Sequence, residues 1–181
     1  MEVLYAILII IIVLCLLTII YILNYNKLQD AKIKIDEAEI IIDENLRKKY
    51  DFLITCKNII EKTIKNQKID FKGLENLKNE NISNFDLDRK LNSHFEFISQ
   101  VSEDYKELEE NHKLQEILFE IKRIDEKIDS AKEFYNKYIS ESNTLVLKFP
   151  SNIVARFHNI SAKKFFDNKN RNDDDFNDFK L

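Results

Sequence analysis

The sequence predicts an all-α protein: a single N-terminal transmembrane helix running into an up-and-down antiparallel helical bundle with a long first helix. Three observations carry this. The chain of 181 residues contains one Gly and one Pro. An uncharged apolar run occupies Val3 to Leu23. Behind it, apolar residues recur at steps of three and four over long stretches, which is the period of a helix face. A β-sandwich or barrel needs turn residues about every 8–12 positions, and Gly and Pro supply most of them. A lone Gly73 cannot build a phosphate-cradling loop. The 28 Lys+Arg stand against 32 Asp+Glu, a net charge of -4. That balance lacks the basic excess of a nucleic-acid binder, so no nucleic-acid partner is expected.

The first element is the apolar run. At about 1.5 Å per residue, Val3–Leu23 spans roughly 31 Å, matching a hydrocarbon core about 30 Å thick. In lipid the backbone must satisfy its own hydrogen bonds, so a lone segment is helical. Tyr5 and Tyr21 fall near its ends, where aromatic belts form. A cleaved signal peptide would carry a basic start and a small-residue cut site, and neither is present. The expected partner of residues 1–23 is therefore the lipid bilayer, crossed once by an uncleaved anchor in a cell membrane. Lys27, Lys32 and Lys34 follow the run and no Lys or Arg precedes it, which assigns the bulk domain to the cytoplasmic face. Two isolated cysteines, Cys15 and Cys56, suit a reducing compartment.

The second element continues the first. No breaker intervenes before Gly73, and Leu28, Ala31, Ile35, Ala38, Ile42, Leu46, Tyr50, Leu53, Cys56, Ile60 and Ile64 form one stripe. An unbroken helix from Val3 to about Lys65 would be on the order of 95 Å long. A polar interruption over 66–73 follows, with Asp70 as a cap, then a short piece around Leu74 and Leu77. The stretch 79–84 reads as a loop. A second helix carries Leu91, Phe95, Ile98, Val101, Tyr105 and Leu108, capped by Asn84 or Asp86. The third stripe is the most regular: Leu114, Ile117, Ile121, Ile124, Ile128, Ala131, Tyr135, Tyr138, Ser142 and Leu145. It has the spacing of a bundle or coiled coil. Pro150 stops it, and Ser151 or Asn152 caps a short segment from Ile153 to about Phe157. Residues 24–167 thus read as the bundle and 168–181 as a disordered polar tail.

The motifs of this stretch resemble the LemA family of membrane-anchored bacterial proteins over residues 22–167. Tyr25 and Asn26 stand where the family opens its domain. Asp36 and Glu37 follow, then Asp43, Arg47 and Asp51 within an Ile-Asp, basic run and Asp-x-Leu series. Tyr135 and Asn136, and Phe149, Pro150, Ser151 and Asn152, match its second half. Glu39 replaces a usual Trp, Ile54-Thr55 a common Pro-Asn, Ser142 a Tyr, and Asn159 stands near a usual Gly. The resemblance implies a single-pass bundle protein with a membrane-organising role, and structural roles for these motif positions. Ile54 should leave the first helix without a kink, and Asn159, which tolerates the left-handed region, should still end the last segment.

Candidate chemistry is sparse. His94, His112 and His158 share no ligand spacing, and a di-iron bundle needs Glu-x-x-His pairs on two helices; surface positions are expected for them. Carboxylate pairs on so charged a set of helices fall on solvated faces by default. Cys56 lies on the apolar stripe and reads as core. Arg47-Lys48-Lys49 sits roughly 36 Å along the helix beyond Leu23, far outside a screening length of about 8 Å, so a solvated face is expected there and a protein contact is the sharper alternative. No cofactor, metal or catalytic residue is expected. The function expected is a non-enzymatic scaffold binding an unknown protein partner. Its alternatives are a coiled-coil oligomer or signal relay, and a membrane-bound metal-dependent enzyme. The sequence leaves the oligomeric state open.

Overall fold

The computed structural model describes residues 1–64, 69–77 and 82–166. Among them are six helices and no strand: α1 (Glu2–Thr63), α2 (Lys72–Asn76), α3 (Asn84–Asp104), α4 (Lys106–Glu109), α5 (His112–Leu147) and α6 (Ser151–Phe157). The all-α reading holds, and α1 passes through Ile54 unbroken. The expectations for 65–68, 78–81 and the 168–181 tail lie outside the described residues.

The chain forms two compact units. One holds Met1–Glu37 and Phe134–Phe165. Residues 2–23 expose their apolar side chains on every face of α1, and this helix is long and apolar enough to cross a membrane. Farther along α1, Leu28 is buried with Val154 and Ala155 of α6, and Tyr25, Leu145, Val146 and Ile160 close around them. Lys34 lies 4.6 Å from the ring centre of Tyr138. These contacts run in opposite senses along α1 and α5, as an antiparallel pair must.

The other unit holds Ala38–Glu133 and Phe166. Its core takes Ala38, Ile42, Leu46, Leu53, Cys56 and Ile60 from α1, Leu91 and Ile98 from α3, and Leu114, Ile121, Ile124 and Ile128 from α5. These are the stripes that the three-and-four spacing marks out. Leu118 joins them, while Tyr50 is only half-buried.

Three boundaries differ from the sequence reading. Ser83, not Asn84 or Asp86, caps α3: its Oγ accepts the Asp86 amide at 3.2 Å, so Asn84 is already helical. The second helix breaks at Tyr105, which adopts an extended backbone. The break keeps Glu107 and Glu109 out of a helix C-terminus and puts them in the first turn of α4, where the helix dipole favours carboxylates. The short α6 begins at Ser151 behind a cis Phe149–Pro150 bond. Ser151 Oγ donates back to the Lys148 carbonyl at 2.9 Å, and the Asn152 amide donates to the same carbonyl at 2.8 Å. Neither side chain is the cap.

The end of α6 follows the sequence reading. Asn159 has a φ of 53°. The Ile160 amide donates to the Ala155 carbonyl at 2.9 Å and the Asn159 amide to Arg156 at 3.2 Å. This is the two-bond left-handed helix end, with Ile160 packed on the Ala155 cluster as its apolar clasp. Asn fills the position a Gly would take.

Candidate functional site

A set of interlocked charged side chains lies in the second unit. Lys49 projects from α1 at 0% exposure. Its Nζ donates to Asn92 Oδ1 of α3 and Asp125 Oδ1 of α5, and sits 5.7 Å from the Phe95 ring centre. Next to it Lys132 Nζ donates to Asp88 Oδ2 at 2.5 Å and to Asp129 Oδ1 at 3.2 Å. The Phe166 ring lies 5.6 Å from Lys132 Nζ.

Burial sets the electrostatics. It pushes the Asp125 carboxyl above its ordinary value, and the Lys49 ammonium pulls back only part of that rise. Burial alone would lower Lys132, but its hydrogen bonds to Asp88 and Asp129 carry it above the ordinary 10.5. Each cation is matched by a carboxylate, which is what a buried charge requires. The arrangement ties α1, α3 and α5 together at one level of this unit.

Lys49 corrects the sequence reading of Arg47-Lys48-Lys49 as one solvated cluster. Arg47 is 75% exposed and pairs with Asp43 on its own helix at 2.9 Å, and Lys48 is exposed. Lys49, about 100° further around the helix from Lys48, turns inward. Its spacing from Leu46 and Leu53 is three and four, so the stripe admits Lys49 as readily as Tyr50. Asp125 and Asn92 each follow a stripe position, Ile124 and Leu91, and Asp88 stands one helical turn before Leu91.

The remaining expected positions are dispersed. Tyr25 is half-buried and Asn26, Asp36, Glu37 and Asp51 are exposed. Tyr135 is buried and Asn136 half-buried. Phe149 is 78% exposed, Ser151 is buried, and Pro150 and Asn152 are half-buried. Asn152 Oδ1 is enclosed without a hydrogen-bond partner among the described residues. Of these positions, Asp43 and Arg47 meet as an ion pair; the others form no shared site.

His94 is also a correction: it is half-buried, not on the surface. Burial, then Lys90, lowers its pKa. Its imidazole covers Gly73, where an added Cβ would lie 3.1 Å from Cε1; the close approach accounts for the glycine. His112 and His158 are exposed. Among the described residues no three His, Cys, Asp or Glu side chains converge to hold a metal ion. Cys56 is buried, its thiol pushed up to about 12 by burial.

A hollow of about 420 Å³ on this unit is lined by Ser99, Ser102 and Glu103 of α3, Glu109 of α4, and Gln115, Leu118, Phe119 and Lys122 of α5. Gln115 Nε2 donates to Ser102 Oγ at 2.9 Å, joining two of its lining residues. Phe119 is 62% exposed.

A family model described as LemA family matches residues 39–177. The match begins beyond the apolar segment and runs into the polar stretch at the C-terminus. No curated protein and no solved structure matches the chain.

Proposed function

The chain belongs to the LemA family, and from that premise we propose that it is a non-catalytic scaffold: a single-pass anchor holds a helical bundle at a membrane, where the bundle binds a protein partner. Helix α1 carries this reading. Residues 2–23 expose Leu, Ile and Val on every face, a surface suited to lipid and far beyond the apolar patch of an ordinary soluble protein. The same helix then enters the buried stripe of the bundle. The charged groups with most chemical potential, Lys49, Asp125, Asp88 and Lys132, are spent on one another in the interior, which supports a structural role for them. Lys27, Lys32 and Lys34 behind the apolar segment favour the cytoplasmic face for the bundle. The hollow lined in part by Phe119 is the surface offered to the partner.

Two experiments test this. A cysteine added after Leu181 stays unlabelled by a membrane-impermeant maleimide in intact cells and is labelled once the membrane is opened. Labelling in intact cells overturns the cytoplasmic placement, and release of the chain by alkaline carbonate overturns the anchor. A photocrosslinker at position 119 of the full chain gives a discrete adduct with another protein that is absent at position 47. Equal adducts at both positions overturn the docking surface, and an adduct with a second copy of the chain replaces the scaffold by an oligomeric relay.

A further inference from the structure

Helix α6 breaks the rule that a surface helix is polar on its outer side. On its inner side Ser151 is buried, and Val154 and Ala155 pack against Leu28. Its outer face carries Ile153 at 50% and Phe157 at 77% exposure, and Leu147 and Phe149, just before it, are 73% and 78% exposed. Four large apolar side chains thus stand outside within eleven residues of chain, and Phe149, Ile153 and Phe157 repeat every four.

The place of this helix along α1 explains the surface. His158, at the end of α6, meets Tyr21 Oη through Nε2 at 2.8 Å, and its ring centre lies 4.7 Å from that of Tyr25. Tyr21 and Tyr25 bracket Leu23, where the apolar run ends. Leu28, against which Val154 and Ala155 pack, is about 7.5 Å beyond Leu23 along the helix. A headgroup layer is about 5–8 Å deep on each side of the hydrocarbon core. Helix α6 therefore lies at headgroup depth, with its C-terminal end at the hydrocarbon boundary.

The charge of the segment fits the same occupant. In a chain with an acidic excess, residues 142–166 contain no Asp or Glu, while Lys148, Arg156, Lys163 and Lys164 lie among them. Lys148 and Arg156 are exposed, and in the chain they fall between the exposed apolar residues Leu147, Phe149, Ile153 and Phe157. Exposed apolar side chains interspersed with cations are the composition of an interfacial helix on an anionic leaflet.

We propose that α6 and the turn before it are a second membrane contact: Phe149, Ile153 and Phe157 enter the interface of the bilayer that α1 crosses, and Lys148 and Arg156 meet lipid phosphates. The proposal rests on the anchor reading above. The two contacts together would fix the tilt of α1 and the height of α6, which an anchor alone leaves free.

The chain has no Trp, so single indoles report depth without background. The full chain is reconstituted into phosphatidylcholine–phosphatidylglycerol vesicles whose lipids are brominated near the top of the acyl chains, or near their ends. Three variants are compared: F157W at the proposed contact, L14W within the anchor, and F134W, one turn before the Tyr138 that meets Lys34 and beyond the headgroups. The F157W indole emits to the blue and loses about half its fluorescence to the shallow bromines, as an interfacial side chain buried about 5–10 Å does. The F134W indole is unquenched, and the L14W indole is quenched by the deep bromines. Adding K148E and R156E to F157W reduces its quenching. Quenching at position 14 without quenching at 157 overturns the interfacial contact and leaves the anchor standing; no quenching at 14 overturns the anchor itself. A blue shift at 157 without bromine quenching, growing with protein density in the membrane, assigns the surface to a second copy and overturns the proposal.

Discussion

Around Lys49 the charged groups are inside and the apolar ones covered; around α6 large apolar groups stand outside among exposed cations. The two regions use one alphabet under different solvents. In the second unit water dictates the arrangement, so an interior ammonium is matched by Asn92 and Asp125. In the unit containing residues 2–23, α6 exposes apolar side chains as residues 3–23 of α1 do, and the solvent proposed for both is lipid. A polar network in the core and an apolar helix on the surface would each look like a defect alone. Each is consistent once the local solvent is named.

The largest effect is expected at Lys49. Replacing Lys49 by Ala leaves Asp125 and Asn92 without their cation, and full removal of one partner from a buried pair costs about 3–5 kcal/mol. Denaturant unfolding of the full chain in nanodiscs measures it. Lys49→Met with Asp125→Leu should recover most of the loss, because it removes the buried carboxylate together with its cation and leaves only the half-buried Asn92 to find a partner in water. A silent Lys49→Ala would mean the lysine reaches water.

In the other unit the corresponding test is Leu28→Ala, which empties the contact beneath Val154 and Ala155. A buried Leu→Ala costs about 3 kcal/mol. The loss should appear as faster amide exchange in α6, while amides near Lys49 keep their protection. Uniform loss of protection would show that the two regions unfold together.

Lys132 sharpens the comparison through pH. Its folded pKa lies above the ordinary 10.5 because Asp88 and Asp129 favour its charged form. The stabilisation is therefore complete below pH 10.5 and is lost as pH rises through the folded value. The pair is partly solvated, so about 1 kcal/mol is expected after screening. Unfolding midpoints of the full chain and its Lys132→Met variant should differ by a constant amount from neutral pH to about 10 and converge above it. A constant gap through that alkaline range would sink the assignment.

The smallest effect belongs to Arg47, two residues from Lys49. Its pair with Asp43 is exposed and within one helix turn, so Arg47→Ala should change stability by less than about 0.5 kcal/mol. A larger loss would place Arg47 in a contact outside its own helix.

The stripes, the stop at Pro150 and the left-handed end at Asn159 were legible because each depends on neighbours a few residues away. A three-and-four period needs only the helix pitch, and Asn159 needs only a side chain that tolerates positive φ. The cap at Ser83 was missed by one residue: Ser, Asn and Asp crowd that junction, and which oxygen reaches an N3 amide depends on where the chain enters the helix. The break at Tyr105 was hidden because no Gly or Pro marks it. The internal network was illegible for another reason: Lys49 and Asp125 are 76 positions apart, and no local pattern selects that pairing.

The sequence by itself determined the helices, their apolar faces and an N-terminal segment suited to lipid, because side-chain hydrophobicity and helical pitch are properties of each stretch alone. The tertiary structure decided which member of Arg47-Lys48-Lys49 turns inward and which carboxylate meets it. It also set α6 beside Tyr21 and Tyr25, at the end of the apolar segment. Both outcomes turn on the rotation and level at which distant helices meet, and close packing settles these only when all the faces are brought together.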